Sequence, residues 1–248
     1  MPEVGTPAHQ FDLVLLGGGT GGYVAAIRAK QLGLNVAVVE ELILGGCCLH
    51  RGCIPTKAFL KSADVFDQVK KAKEFGVDVA GEVTFNYETA LQRSLKIVEG
   101  QYKGLLYLFE KKHKIPVFLG RGRLLNATTV GVTPKDGSAP FSIQAKDVII
   151  NTGSRPRPIK GVAWDPPRVI NSDHAVILDH LPKSFIIRGG GATGSAGPDD
   201  QDLDVGVHGI EARAIFRRLQ PAHARQRVDA DAGFQWGRRG VDHGLTDP

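Results

Sequence analysis

Short apolar runs alternate with glycine-rich turns at the start of the chain. Residues 11–16 (FDLVLL) read as a buried strand and the run Gly17-Gly18-Gly19-Thr20-Gly21-Gly22 as a turn. The apolar spacing through Ile27 to Leu32 then reads as a helix that Gly33 closes, and residues 35–39 (NVAVV) as a second strand ending in Glu40. Pro55 suits the first turn of a further helix running through Ala58 to Lys73. Asn86 is placed to cap a long amphipathic helix over 87–112. Residues 117–125, 129–133 and 141–144 read as strands of a meander, with the turn Pro134-Lys135-Asp136-Gly137 between two of them. A separate buried strand is expected at 147–151 (DVIIN), broken by Thr152-Gly153-Ser154-Arg155-Pro156-Arg157. The proline-rich stretch to Pro182 reads as a crossover, and residues 184–188 with Gly189-Gly190-Gly191-Ala192-Thr193-Gly194 repeat the strand and glycine signature. The order of elements predicts an α/β fold.

At 248 residues, with 42% hydrophobic and 23% charged residues, the chain has core material for one large or two ordinary domains of the soluble globular class. Its net charge of +5 is spread along the chain rather than gathered into a stripe with aromatics, which argues against nucleic acid. No run approaches the roughly 18 apolar residues that cross a membrane, and the N-terminus has no signal-peptide pattern. Three cysteines do not make a disulfide scaffold. A cytoplasmic, reducing location is expected, where a close cysteine pair is more often catalytic or metal-binding than structural.

The opening strand, turn, helix and strand form a βαβ unit with a mechanism in it. Gly17 allows the tight turn, Gly19 lets the backbone approach a diphosphate, and Gly22 lets helix and strand pack closely. The helix N-terminus then holds the diphosphate while Glu40 accepts from ribose hydroxyls. A glycine-rich turn without a ligand is the plainer alternative. Just downstream lies Gly45-Gly46-Cys47-Cys48-Leu49-His50-Arg51-Gly52-Cys53-Ile54-Pro55-Thr56-Lys57. In a regular helix Cys48 and Cys53 would be separated by about 7.5 Å of rise, beyond the ~7 Å a disulfide spans. If they are bonded, the segment must be irregular, and Gly45, Gly46 and Gly52 supply that freedom. Cys53 would then sit at the positive end of the helix that follows, where a thiolate is favoured.

With the glycine turn, the cysteine run and the TGSRPR segment together, residues 8–194 resemble the flavoprotein disulfide reductases. Within that family the CLHRGCIPTK wording is closer to the dihydrolipoamide dehydrogenase branch than to the glutathione or mercuric reductase branches. The resemblance implies a Rossmann-like FAD-binding domain with a redox disulfide over residues 1–158, and an incomplete NAD-binding domain beginning in 159–194. It implies that Gly17, Gly19, Gly22 and Glu40 bind the ADP half of FAD, that Lys57 lies near the flavin ring, and that Gly153 packs against the same cofactor. Cys48 would be the thiol that meets dihydrolipoamide and Cys53 the thiol against the flavin. The implied reaction is dihydrolipoamide and NAD to lipoamide and NADH, the electrons passing from the dithiol through the flavin. The implied partners are the lipoyl group of a 2-oxo acid dehydrogenase or glycine cleavage complex and a second copy of the chain as a homodimer.

Members of that family continue with the rest of an NAD domain, a return segment containing a Gly-Asp pair, and an interface domain with a catalytic His followed five residues on by Glu. This chain has no Gly-Asp dipeptide, and none of His9, His50, His113, His174, His180, His208, His223 or His243 has a Glu at that offset. Residues 195–248 contain no lysine and only about a fifth Leu, Ile, Val or Phe, near the level of disordered chain. Only 211–219 reads as a short helix there, and Arg188 puts a charge at the end of a strand expected to be buried. The expectation is an N-terminal part of such an enzyme, truncated and with reduced or no activity by itself, joined from Ser195 to an atypical tail such as a reading-frame slip would produce. Two alternatives stay open: another flavin disulfide reductase, or a metal-binding or structural module using Cys47, Cys48, His50 and Cys53. Those four are too crowded for ordinary tetrahedral zinc spacing, so no metal is expected, and Cys47 reads as a small-residue substitution.

Overall fold

The computed structural model describes residues 9–156, 163–166 and 168–182. The expected second glycine signature at 189–194, Arg188, the 211–219 helix and the whole 195–248 tail lie outside the described residues. Five strands, β1 (His9–Leu16), β2 (Val36–Glu40), β3 (Val117–Asn126), β4 (Thr129–Pro134) and β5 (Phe141–Ile150), pair into a closed ring. β5, β1, β2 and β3 are parallel neighbours in that order, with Leu13 level with both Val36 and Asp147. β4 runs antiparallel to β3 and to β5 and closes the ring. This is the expected parallel sheet plus meander; the closure was not expected.

Alternation along each strand sorts the apolar residues into two cores. Val14, Leu16, Ala37 and Val39 point into the ring and meet Val130, Val132, Ile143 and Ala145. Gly122 on β3 makes room there, since a Cβ would collide with Leu16. Leu13, Leu15, Val36 and Val38 point the other way and are covered by helices, through Ala26, Ala29, Leu49, Leu105 and Phe109. β1 and β2 are therefore covered on both faces, which is why they read as unbroken apolar runs.

The helices are α1 (Thr20–Gln31), α2 (Gly46–Arg51), α3 (Cys53–Lys70), α4 (Tyr87–Leu106) and α5 (Ser172–Ala175). Asn86 caps α4 as expected, its side chain accepting from the Thr89 amide at 2.9 Å. A π-helical turn, Tyr107–Lys112, extends α4 to the expected length and buries Phe109. α3 and α4 pack through Phe59, Ala63, Ala90 and Leu91. Arg93 donates from α4 to the Ala58 carbonyl at 2.9 Å. No helix among the described residues is long and apolar enough to cross a membrane.

Three boundaries differ from the sequence reading. α3 begins at Cys53 and ends at Lys70, with a 3-10 turn (Ala72–Phe75) leading to Gly76 at φ +75°. The cysteine run contains a separate helix, α2, too short to show a period. The strands expected at 141–144 and 147–151 are one, β5. Its first residues, Phe141 to Gln144, pair with β4 while Ile143 to Ile150 follow β1, and the exposed Lys146 is held by Asp12 at 2.7 Å. The crossover folds back over the helices, where the Tyr87 hydroxyl donates to the Leu178 carbonyl at 3.0 Å.

Candidate functional site

β1, β2 and β5 are parallel, so their carboxyl ends and the turns that follow share one edge of the ring. At that edge Gly17 has φ +108° and donates its amide to the Val39 carbonyl at 2.8 Å. A Cβ on Gly17 would collide with the Asn151 carbonyl oxygen, and one on Gly22 with the Gly17 carbonyl oxygen. The protein itself therefore requires glycine at both positions. Gly19 is different. A Cβ there would meet only Asn151 Nδ2 at 3.8 Å and Gly46 Cα at 4.0 Å, ordinary contacts. The room at Gly19, directly before the N-terminus of α1, is a cradle that a side chain would fill and a diphosphate fits.

Glu40 is nearly buried, at 8% exposure, and its carboxylate is already engaged. Oε2 accepts from the Gly18 amide at 2.7 Å, and Oε1 accepts from the Leu42 and Ile43 amides at 2.8 and 3.3 Å. The carboxylate thus clamps the glycine turn to the loop after β2, a role the sequence did not reveal. Four lone-pair sites on two oxygens leave capacity for one further donor.

The cysteine segment lies against the same turn. Gly45 and Gly46 have φ of +107° and +64°, and the Gly45 amide donates to the Gly18 carbonyl at 2.9 Å. A Cβ on Gly46 would stand 2.7 Å from Gly19 Cα. The chain then breaks at Gly52, between α2 and α3, so that Cys48 and Cys53 come to a Cα separation of 4.7 Å and form a disulfide. This is the irregularity that their spacing demanded. Cys53 is the first residue of the 18-residue α3.

His50 makes an Nε2 contact with the Leu44 carbonyl at 2.9 Å and packs edge-on against Tyr102. Cys47 is free, and partial burial followed by the Asp173 charge pushes its thiol up, against the opposing pull of Arg51. Arg51 itself pairs with Asp173 at 3.1 Å, joining α2 to α5. With Cys48 and Cys53 bonded to each other, the four-ligand alternative is not assembled. No group of three or more His, Cys, Asp or Glu side chains among the described residues is placed to hold a metal ion.

Lys57 is exposed, one helical turn past Cys53. Gly153, at φ +73°, lies just past β5 with nothing within 4 Å of a Cβ built on it. Arg155 of the same segment pairs with Glu41 at 3.1 Å. The sequence reading missed Asn151 and Gly21, and it gave Gly46 backbone freedom but not its close packing on Gly19. Asn151 directly follows β5, a strand parallel to β1, which was the available signal. Its carboxamide lies over the start of α1, and a Cβ on Gly21 would stand 2.7 Å from its Oδ1.

The sequence profile described as pyridine nucleotide-disulphide oxidoreductase matches residues 11–231, a span that continues past Ser195. The chain is 47% identical over 194 residues to the dihydrolipoyl dehydrogenase of Bacillus subtilis (strain 168), covering 75% of this chain and 40% of that protein. It is 45% identical over 194 residues to the dihydrolipoyl dehydrogenase of Chlorobaculum tepidum, covering 78% and 41%. The chain therefore spans about two fifths of the length of these relatives. Among solved structures, the HOCl-induced flavoprotein disulfide reductase RclA from Escherichia coli, as its Cu(II) complex, matches with a TM-score of 0.65 and 22% identity. That match covers 85% of this chain and 41% of RclA, and it shows a shared fold.

Proposed function

The chain belongs to the pyridine nucleotide-disulphide oxidoreductase family, and from that premise we propose that, over the two fifths of its relatives' length that it spans, it supplies the FAD-binding glycine turn and the Cys48–Cys53 disulfide of an enzyme that oxidises a dihydrolipoyl group with NAD as final acceptor, with reduced or no turnover by itself. One observation supports this most. The disulfide stands at the start of α3, fastened to the nucleotide turn through Gly45 and Gly18 and through the close approach of Gly46 to Gly19.

Gly17, Gly19 and Gly22, with the N-terminus of α1, would hold the FAD diphosphate; Glu40 would take a ribose hydroxyl with its remaining lone pair, and Lys57 and Gly153 would flank the ring. FAD, when bound, would take up electrons from the dithiol and supply hydride to NAD. The chain's own part is thiol exchange. A substrate thiolate attacks Cys48 Sγ, a mixed disulfide forms, and the electron pair of the old S–S bond stays on Cys53 Sγ. Cys53 is the better leaving group because the partial positive charge at the start of the long α3 favours its thiolate. The second substrate thiol then displaces Cys48, releasing a cyclic disulfide and leaving Cys48 as thiol and Cys53 as thiolate. The lipoyl group would be that of a 2-oxo acid dehydrogenase or glycine cleavage complex in the cytoplasm, met by a homodimer.

The test is reconstitution with FAD, followed by visible absorption during titration with dihydrolipoamide. Bound flavin should develop a long-wavelength band on two-electron reduction. Cys53→Ser should abolish that band, while Cys48→Ser should show it permanently. A chain that takes up no FAD, or whose two cysteines cannot be oxidised to each other, refutes the proposal. Turnover with glutathione disulfide in place of dihydrolipoamide would redirect the substrate.

A further inference from the structure

Among the described residues one buried side-chain polar atom lacks a partner, the Thr56 hydroxyl. Thr56 is 1% exposed and lies early in α3 beside Pro55 and Ala58, both also buried. Its backbone amide is used in the helix, donating to the Gly52 carbonyl at 3.1 Å. A helical threonine ordinarily returns its hydroxyl to a carbonyl three or four residues back. This one does not, and an orphaned hydroxyl in the interior is costly where a valine would fill the same space. Such a group is expected to find its partner in another state of the protein.

Its position identifies that state. Thr56 follows Cys53 by three residues in one helix, so the two side chains are neighbours on its surface, with Cβ atoms about 5–6 Å apart. Helical side chains tilt toward the N-terminus, which directs Thr56 toward Cys53. While the disulfide is intact, Cys53 Sγ is a neutral, weak acceptor. On reduction it becomes an anion, and hydrogen bonds to ionised acceptors are roughly twice as strong as neutral ones. The hydroxyl is enclosed by the chain itself.

We propose that Thr56 is a positioning residue that donates its hydroxyl to the Cys53 thiolate once the disulfide is reduced, holding that sulfur ionised. The inference rests on the redox role given to the disulfide above. Dithiothreitol serves as the reductant in its test. One reagent thiolate attacks Cys48 Sγ, the S–S bond breaks, and its electron pair goes to Cys53 Sγ. The second reagent thiolate closes the reagent's ring and releases Cys48. Of the two protons lost by the reagent, one goes to Cys48 and one to solvent, and two electrons have moved to the protein.

The experiment uses the full chain carrying Cys47→Ser, so that only two thiols respond. After reduction, the pH dependence of Cys53 alkylation is followed by mass spectrometry in that background and with Thr56→Val or Thr56→Ser added. Thr56→Val should raise the Cys53 pKa by about one unit, a roughly tenfold loss of thiolate at a fixed pH below it, and Thr56→Ser should restore it. In the oxidised chain Thr56→Val should leave the urea midpoint unchanged or higher, because no bond is lost there. Equal Cys53 titrations in the threonine and valine chains overturn the inference. So does a valine chain that is less stable or unfolded when oxidised, since the hydroxyl then has a partner already. If the parent cysteines cannot be cycled at all, the redox reading of the site fails first.

Discussion

Replacing Glu40 by Gln tests whether its carboxylate is chiefly a clamp or chiefly a ligand group. The substitution keeps the shape but can offer only one acceptor oxygen. If that oxygen stays where Oε1 accepts from Leu42 and Ile43, an amide NH2 faces the Gly18 amide, and the shortest of the three bonds, at 2.7 Å, is lost. An amide left unpaired in this nearly buried position costs about 1–3 kcal/mol. The two remaining bonds fall from charge-assisted to neutral, weakening by roughly half, on the order of 0.5–1 kcal/mol each. Glu40→Gln should therefore destabilise the chain by about 2–5 kcal/mol even without FAD, a large share of the ~5–15 kcal/mol that holds a domain together. Urea unfolding of the FAD-free chain measures this directly. A Glu40→Gln midpoint equal to that of the parent, with FAD affinity alone reduced, would refute the clamp and leave only the ribose.

Two further outcomes are expected. Gly21→Ala should drive Asn151 from its place and destabilise by about 1 kcal/mol or more, as overpacking does. Adding Asn151→Ala should relieve the clash, and in urea unfolding simple additivity of the two changes would show that the residues are not coupled. Tyr87 contributes a pH effect. Burial, then Asp179 and Glu88, push its hydroxyl up to about 12 from 10.0, so the folded chain favours the neutral phenol. That stabilisation is complete below pH 10 and is lost as pH rises toward about 12. Tyr87→Phe, which gives up the bond to Leu178, should lose stability less steeply than the parent over that window; parallel curves would contradict the assignment.

What could be read from the sequence was whatever a short window determines. The strand, glycine turn, helix and strand from β1 to β2 were legible because both strands are apolar on both faces and the turn needs glycine at 17 and 22 for steric reasons. Asn86 was legible because a cap is a local bond. β5 was misread as two strands because Lys146 interrupts its apolar run, although Lys146 only reaches out to Asp12. What decides that segment is its pairing with β4 and β1, which no window over residues 141–151 contains. Glu40 was assigned to a ligand because its position at a strand end is the same whether it serves a ribose or three amides of the protein.

The same distinction explains the disulfide. Spacing alone said that Cys48 and Cys53 could bond only across a break, and the break at Gly52 gives a Cα separation of 4.7 Å. It did not say what aims the pair. That comes from the edge of the ring, where Gly17 follows β1, Glu40 ends β2 and Asn151 follows β5, because parallel strands bring their carboxyl ends to one side. Glu40 holds Gly18, the Gly18 carbonyl holds Gly45, and Gly46 packs on Gly19, so the cysteine segment is positioned from the glycine turn itself. A change at Glu40 should therefore be felt at the disulfide as well as at the turn. Glu40→Gln should alter the rate at which dithiothreitol reduces the Cys48–Cys53 bond, whereas a substitution on the far face of α4, such as Gln92→Ala, should not. Equal reduction rates in all three chains would mean that the turn and the disulfide are neighbours without being coupled.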